Sequence, residues 1–520
     1  MTTTSSPVGE ETSVRKFLAA RSGDTNTLGW RKGRPYGFPN GRHVLLDAYV
    51  KAFGFMLLVY AVGDRWIAWI LRVPGTPIFA GEILLALGLA AYAFHTWPLR
   101  RAINLEIPVA VLAALVTWAF IRLVPGVSTD GLTAVRDAAV LYYLAFGGMA
   151  VAMGYFASEQ LGSIVATYVR LTPWLVTFYP FGYALGALVN LPRMPGNQAE
   201  FLSVRPANIA VHSGLCIATS LLAPDSMMSE KRRIYVSVLG LLMIVLLATQ
   251  NRSGFVAACV LMAIAVIVRQ ARGIVFVDRA VRVGAIMFAG LLVMWASGLS
   301  LQTDREGREV SVEQFIDVIE NLTSGGTSGE EAYTTTVEFR NELWKGALHQ
   351  MSVNDGWQLG LGFGVPLGEA LLPFHGDGFN ELRNPHNSHL DILARTGLVG
   401  VGLWIVMWVS WFATLIRRLT RDPLGPVNRM VLGLALAGVP AMLFVSYFDP
   451  TLETIQAAIW LMALFGFGLI ASAGLLPEVI EAPDPVGVGV DGHDGNGAYP
   501  VELAVPIKVA EIPMPGQVQP

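Results

Sequence analysis

The chain is 520 residues long, 53% hydrophobic and only 14% charged, with a mean hydropathy of +0.51. Soluble domains carry roughly 25% charged residues, so this composition excludes an ordinary water-soluble protein. Its 36 basic and 39 acidic residues leave a formal net charge of -3, with no basic surplus to suggest nucleic acid. Cys216 and Cys259 both fall inside apolar runs, which excludes a disulfide framework or a cysteine zinc site.

Residues 1–45 are polar, with Arg15, Lys16, Arg21, Arg31, Lys32, Arg34 and Arg42 and no cleavable signal pattern; they read as a disordered basic cytoplasmic leader. Apolar spans follow near 46–63, 77–95, 105–124, 134–153, 169–190, 206–223, 233–250, 253–269 and 281–300, then 388–416, 427–447 and 454–474. The expected fold is therefore an all-α polytopic membrane protein with about twelve transmembrane helices. Pro173 and Pro180 should kink the span that holds them. Arginines and lysines gather in alternate loops, at 100–101, 231–233, 269–282 and 417–429, which puts both termini in the cytoplasm.

Residues 301–385 interrupt this pattern on the outer side. A structureless loop of that length is unusual, so a mostly helical cap between spans 9 and 10 is expected. Val312, Phe315, Ile316, Ile319 and Leu322 share one helical face, and Phe339, Leu343, Ala347 and Met351 share another. Trp357–Gly364 is glycine-rich without the Lys-Ser/Thr ending of a P-loop, so it reads as a tight turn before it reads as a phosphate cradle. Spans 10–12 and their entry then cover 386–476. The tail from 477 to 520 is acidic and rich in proline and glycine, and reads as disordered.

The entry to the tenth span holds the most distinctive stretch, Asn384-Pro385-His386-Asn387-Ser388-His389. Asn384 suits an N-cap and Pro385 a first helical position, which would put His386 in the first turn, where the dipole disfavours its charged form. Alone, His386 reads first as a solvated boundary histidine. Two arginines share its side of the membrane. Arg252 sits at the tip of a tight hairpin, Thr249–Gly254, where snorkelling to the interface is the ordinary explanation. Arg340 lies in the second cap helix, where an ion pair with Glu338 or Glu342 is the ordinary one.

The order of these motifs carries a resemblance. His386–Gly400, with its His-Asn pair and Gly397-Leu398-Val399-Gly400 entry into a span, resembles the hallmark of the O-antigen ligase and O-antigen polymerase family. Asn251-Arg252-Ser253-Gly254 and Arg340-x-x-x-Trp344-x-x-Ala347 resemble the segments that precede it, and Pro206-Ala207-Asn208 is a looser match. The resemblance spans roughly 205–470. It implies a C-type membrane glycosyltransferase of the bacterial inner membrane, with its active site on the outer face. Such an enzyme moves a glycan from undecaprenyl diphosphate to an acceptor hydroxyl on a glycan or lipid. The diphosphate bond is already activated, so no metal or other cofactor is implied. Carried over by position, His386 would be the general base and Arg252 and Arg340 would hold the diphosphate, with Asn387, His389 and Arg205 as supporting residues. Implied partners are the lipid-linked donor, the acceptor, membrane lipids, and polysaccharide-export proteins such as a chain-length regulator.

Two rival classes fit the residues less well. A metal hydrolase would draw on His375, Asp377, His386, His389 and Asp391, yet no His-Glu-x-x-His pattern exists. A transporter or flippase for lipid-linked glycans would call for internal repeats and mid-membrane charges, and neither stands out.

Overall fold

The computed structural model describes residues 44–270 apart from 75, 77, 95, 189–190, 193–200, 203 and 249–250. It also describes 331–367 and 383–478, together with two short antiparallel pairs, 30–31 with 34–35 and 301–302 with 309–310. The expected span at 281–300, the first cap helix at 312–322, and nearly all of the leader and tail lie outside the described residues.

The helices in chain order are α1 (Val44–Ile70), α2 (Ala80–Phe94), α3 (Thr96–Leu105), α4 (Ile107–Asp130), α5 (Leu132–Asp137), α6 (Ala139–Tyr142), α7 (Ala145–Gly154) and α8 (Ser158–Leu188). Then come α9 (Pro206–Leu222), α10 (Glu230–Ala248), α11 (Arg252–Gln270), α12 (Glu331–Val353), α13 (Ser388–Arg421), α14 (Pro426–Phe448) and α15 (Ile455–Ser472). Among the described residues six helices are long and apolar enough to cross a membrane: α1, α4, α11, α13, α14 and α15. A further pair, 139–154 and 158–185, qualifies together but bends by 115° at its break, while α2 and α9 are shorter apolar helices.

α15 is the hub of the bundle. All of its residues are buried, although it has no polar face to show water, because other helices surround it. Trp460 donates to the Leu57 carbonyl of α1 at 3.0 Å, and Trp411 of α13 donates to Phe465 at 2.9 Å. Buried indole N–H groups need such partners, so each bond also fixes the rotation of one helix against the next.

Two local features bear on the sequence reading. α8 runs as one helix through Pro173 and Pro180. Pro173 has no N–H to offer the Val169 carbonyl, and the Thr172 hydroxyl takes that carbonyl at 2.8 Å instead. α13 does not start at Pro385. Its N-cap is Asn387, whose Oδ1 accepts from the backbone N–H groups of His389 and Leu390, both at 3.0 Å. His386 therefore precedes the helix, in the left-handed region at φ 53°. Asn384 closes a smaller turn, accepting the His386 N–H at 3.2 Å.

α13 is broken at Gly397, where φ is 68° and ψ is -168°. A break at membrane depth is tolerable only if protein satisfies the freed backbone groups. The glycine-rich turn does this. Leu361 and Gly362 donate to the carbonyls of Ala394 and Arg395 at 2.7 and 3.1 Å, and Leu398 donates back to Trp357 at 2.8 Å. Trp118 of α4 takes the Thr396 carbonyl at 3.0 Å, and Arg122 takes the Gly360 carbonyl at 2.9 Å. The positive φ of Gly360, Gly362 and Gly364 makes this close approach possible. The amide N–H groups of Leu361 and Gly362 are thus spent on α13, as expected for a turn and not for a phosphate cradle.

Candidate functional site

α12 is the second expected cap helix, and it packs by the stripe read from the sequence. Leu343, Ala347 and Met351 are buried, and Ala347 and Met351 meet Ala394 of α13 and Leu367. This leaves Phe339, Arg340 and Trp344 near the start of α13. Trp344 donates to the Pro385 carbonyl at 3.0 Å, and its ring meets Tyr447 edge-on at 5.3 Å. The Phe339 and His386 rings meet edge-on at 6.2 Å.

His386 is half-buried under this helix. Burial lowers its pKa below the usual histidine value; the Asp449 carboxylate pulls the other way, and the Arg340 guanidinium lowers it further. The ring is therefore neutral at neutral pH, with one nitrogen able to accept a proton. The expected cause is the helix dipole; here the lowering comes first from desolvation, since His386 lies ahead of the helix. Arg340 has no hydrogen bond or ion pair among the described residues, and Glu342 is paired instead with Lys345 at 2.7 Å.

Asn387 acts as a cap. Its side-chain oxygen is committed to two backbone donors and it is buried. Asn387→Ala is expected to cost about 1 kcal/mol of stability, as N-cap losses do. Thermal unfolding in detergent should show the loss, and an unchanged midpoint would contradict this role. His389 is also committed. Trp404 Nε1 donates to its Nδ1 at 3.3 Å, so its Nε2 carries the hydrogen and donates to the Leu443 carbonyl at 2.9 Å. Neither ring nitrogen is left to exchange a proton with a substrate.

Arg205 and Arg252 lie at the starts of α9 and α11. Asn251 caps α11, accepting from Ser253 and Gly254 at 2.9 and 2.7 Å. Gly254 lies so close to Ala207 of α9 that a Cβ there would reach its backbone. That contact puts Arg252 and Arg205 at the same end of the bundle. Arg205 in turn reaches the turn 449–454 that leads into α15, donating to Thr454 at 3.3 Å. The same turn is tied to the His386 segment. Asn384 donates to Glu453 at 2.6 Å, Ser388 donates to the Asp449 carbonyl at 3.4 Å, and Leu452 donates to the Ser388 hydroxyl at 3.3 Å.

Besides Glu453, two carboxylates here were not singled out from the sequence. Asp449 is the anionic neighbour of His386. Asp64 interrupts α1 with φ 42° and is 3% exposed. It accepts from the Arg205 backbone N–H at 3.1 Å and from Asn208 at 2.7 Å, and lies 3.5 Å from the Arg205 guanidinium. A lone acidic residue inside an apolar run is the signal that could have found it, since such a charge needs a partner. Asp449 carried the weaker signal of a short Asp-Pro-Thr-Leu-Glu-Thr loop between two spans.

Among the described residues no group of three or more His, Cys, Asp and Glu side chains is placed to hold a metal ion. In comparison with known proteins, residues 237–405 match the family model described as O-antigen ligase. That stretch holds the motifs at 251–254, 340–347 and 386–400. No curated protein matches the chain.

Proposed function

From the membership of residues 237–405 in the O-antigen ligase family, we propose that this chain is a multi-pass membrane glycosyltransferase of the ligase or polymerase type. It transfers a glycan from undecaprenyl diphosphate to an acceptor hydroxyl in cell-surface polysaccharide synthesis, on the outer face of the bacterial inner membrane. The observation that carries the reading is His386 half-buried beneath α12, its ring against Phe339 and Arg340 among its charged neighbours.

In this reading the acceptor oxygen attacks the anomeric carbon from the face opposite the diphosphate. The bond from that carbon to the diphosphate oxygen breaks as the new glycosidic bond forms, and the configuration inverts. The acceptor proton passes to His386, and Asp449 stabilises the imidazolium that results. The leaving diphosphate gathers negative charge, which Arg340 and Arg252 meet with preorganised cations. An arginine fork can grip two phosphate oxygens at once, which a lysine cannot. Arg205, oriented by Asp64, adds positive potential. Asn387 and His389 shape the entry to α13 and take no proton.

The test is transfer in vesicles loaded with a lipid-diphosphate glycan. Arg340→Lys and Arg252→Lys keep the charge and lose the fork. Each is expected to reduce kcat/KM about 10- to 100-fold, the worth of a charged hydrogen bond. Unchanged kcat and KM in both variants would refute the clamp. A deletion strain separates the two acceptor classes: loss of polymer length with single units still attached marks a polymerase, and accumulation of long carrier-linked polymer marks a ligase.

A further inference from the structure

α13 crosses from the His386 end to the opposite end of the bundle, and that far end carries a site that the transfer reaction does not use. Thr414, Arg417, Arg418 and Arg421 fall at i, i+3, i+4 and i+7, on one stripe of the helix. With Asp422 and with Glu106 and Ile107 at the start of α4, they line an open cavity of about 370 Å³. Such a volume lies within the range of small-ligand sites.

The three arginines are not equivalent. Arg418 is committed, 3.3 Å from the Glu106 carboxylate and donating to Ser472 at 3.2 Å. Arg417 and Arg421 have no side-chain hydrogen bond or ion pair among the described residues. An arginine-lined cavity without enough carboxylates favours an anion, and the flexible forks of Arg417 and Arg421 suit phosphate oxygens.

The flanks of the cavity say what else the ligand carries. On α13 the side chains of Ile405, Val406, Val409 and Ile416 are exposed up to the point where the arginines begin. Across the cavity, Ile107 opens α4 and is also exposed. On a membrane-spanning pair these surfaces face acyl chains, and the change from isoleucine to arginine marks the headgroup level. Basic pockets between spans at that level suit acidic lipid headgroups.

We propose that the cavity between the end of α13 and the start of α4 binds an anionic phospholipid, with its phosphate on Arg417 and Arg421 and its acyl chains along Ile107 and Ile416. Arg418, neutralised by Glu106, forms the floor and holds the two helices together.

Native mass spectrometry of the full chain, released from micelles doped with phosphatidylglycerol and phosphatidylcholine of matched chain length, tests this. The wild-type chain should retain phosphatidylglycerol preferentially. Each arginine near an anionic headgroup is worth about fivefold in binding, so Arg417→Gln/Arg421→Gln should reduce that retention roughly 30-fold. Inorganic phosphate at millimolar concentration should not displace the lipid. If the double variant does not elute as a folded species, Arg421→Gln alone serves, with a loss of about fivefold expected. Equal retention of the two lipids, or retention unchanged by the substitutions, overturns the proposal. Displacement by inorganic phosphate also overturns it, since that would make the cavity a soluble-anion site.

Discussion

Replacing His386 by alanine is expected to lower glycan transfer by about 10²- to 10⁴-fold, the usual worth of a positioned general base, while leaving donor binding and insertion intact. Among the described residues the His386 side chain makes no hydrogen bond. The fold of this segment rests instead on Asn384, Asn387 and Ser388, so a loss of stability should not accompany the loss of rate. The pH dependence sharpens the test. Burial lowers the pKa of His386, so the free base persists below the ordinary histidine value near 6.5, and the acid limb of kcat/KM should lie on the acid side of it. The two charged neighbours should move that limb in opposite directions. Asp449→Asn removes a charge that raises the pKa and should shift the limb to lower pH. Arg340→Gln removes a charge that lowers it and should shift the limb to higher pH, on a reduced overall rate. Near-normal turnover in His386→Ala, or a limb that neither neighbour moves, would end the assignment of His386 as the base.

The parts of this picture that periodicity encodes are legible in the sequence. The apolar runs at 206–223, 233–250, 253–269, 427–447 and 454–474 match α9, α10, α11, α14 and α15 to within a few residues. The stripe Phe339, Leu343, Ala347 and Met351 predicted both α12 and its buried face, because a 3.6-residue period survives without knowledge of the partner. Three things were not legible. The cap of α13 reads from the sequence as Asn384, and the left-handed backbone at His386 moves it to Asn387. The commitment of His389 depends on Trp404 and Leu443, neither of which its own motif reveals. The pairing of Arg383 with Asp137 joins positions 246 residues apart, which no local pattern records. The site is thus readable as a set of local motifs, whereas the contacts that aim its side chains are long-range.

The Arg383–Asp137 contact meets Arg395, whose removal is expected to cost about 3–5 kcal/mol, the range for breaking a buried ion pair. The side chain is 1% exposed. It donates to the carbonyls of Val365 at 2.5 Å and Arg383 at 2.8 Å, and lies 3.3 Å from Asp137 and 3.4 Å from Asp391. It therefore ties the glycine-rich turn and the approach to His386 onto the first turns of α13. Arg395→Leu would leave the Asp391 carboxylate without its cation and would free two backbone carbonyls. The apparent melting temperature in detergent should fall by on the order of 10 °C. Arg395→Lys should recover little, since one ammonium cannot reach the carbonyls and both carboxylates in the geometry of a guanidinium. Much of the penalty comes from the stranded charge, so Arg395→Leu combined with Asp391→Leu should be less damaging than Arg395→Leu alone. A double variant as unstable as the sum of its parts would mean that the two residues act separately. A melting temperature for Arg395→Leu within about one degree of wild type would mean that the turn is held to α13 by its backbone bonds alone.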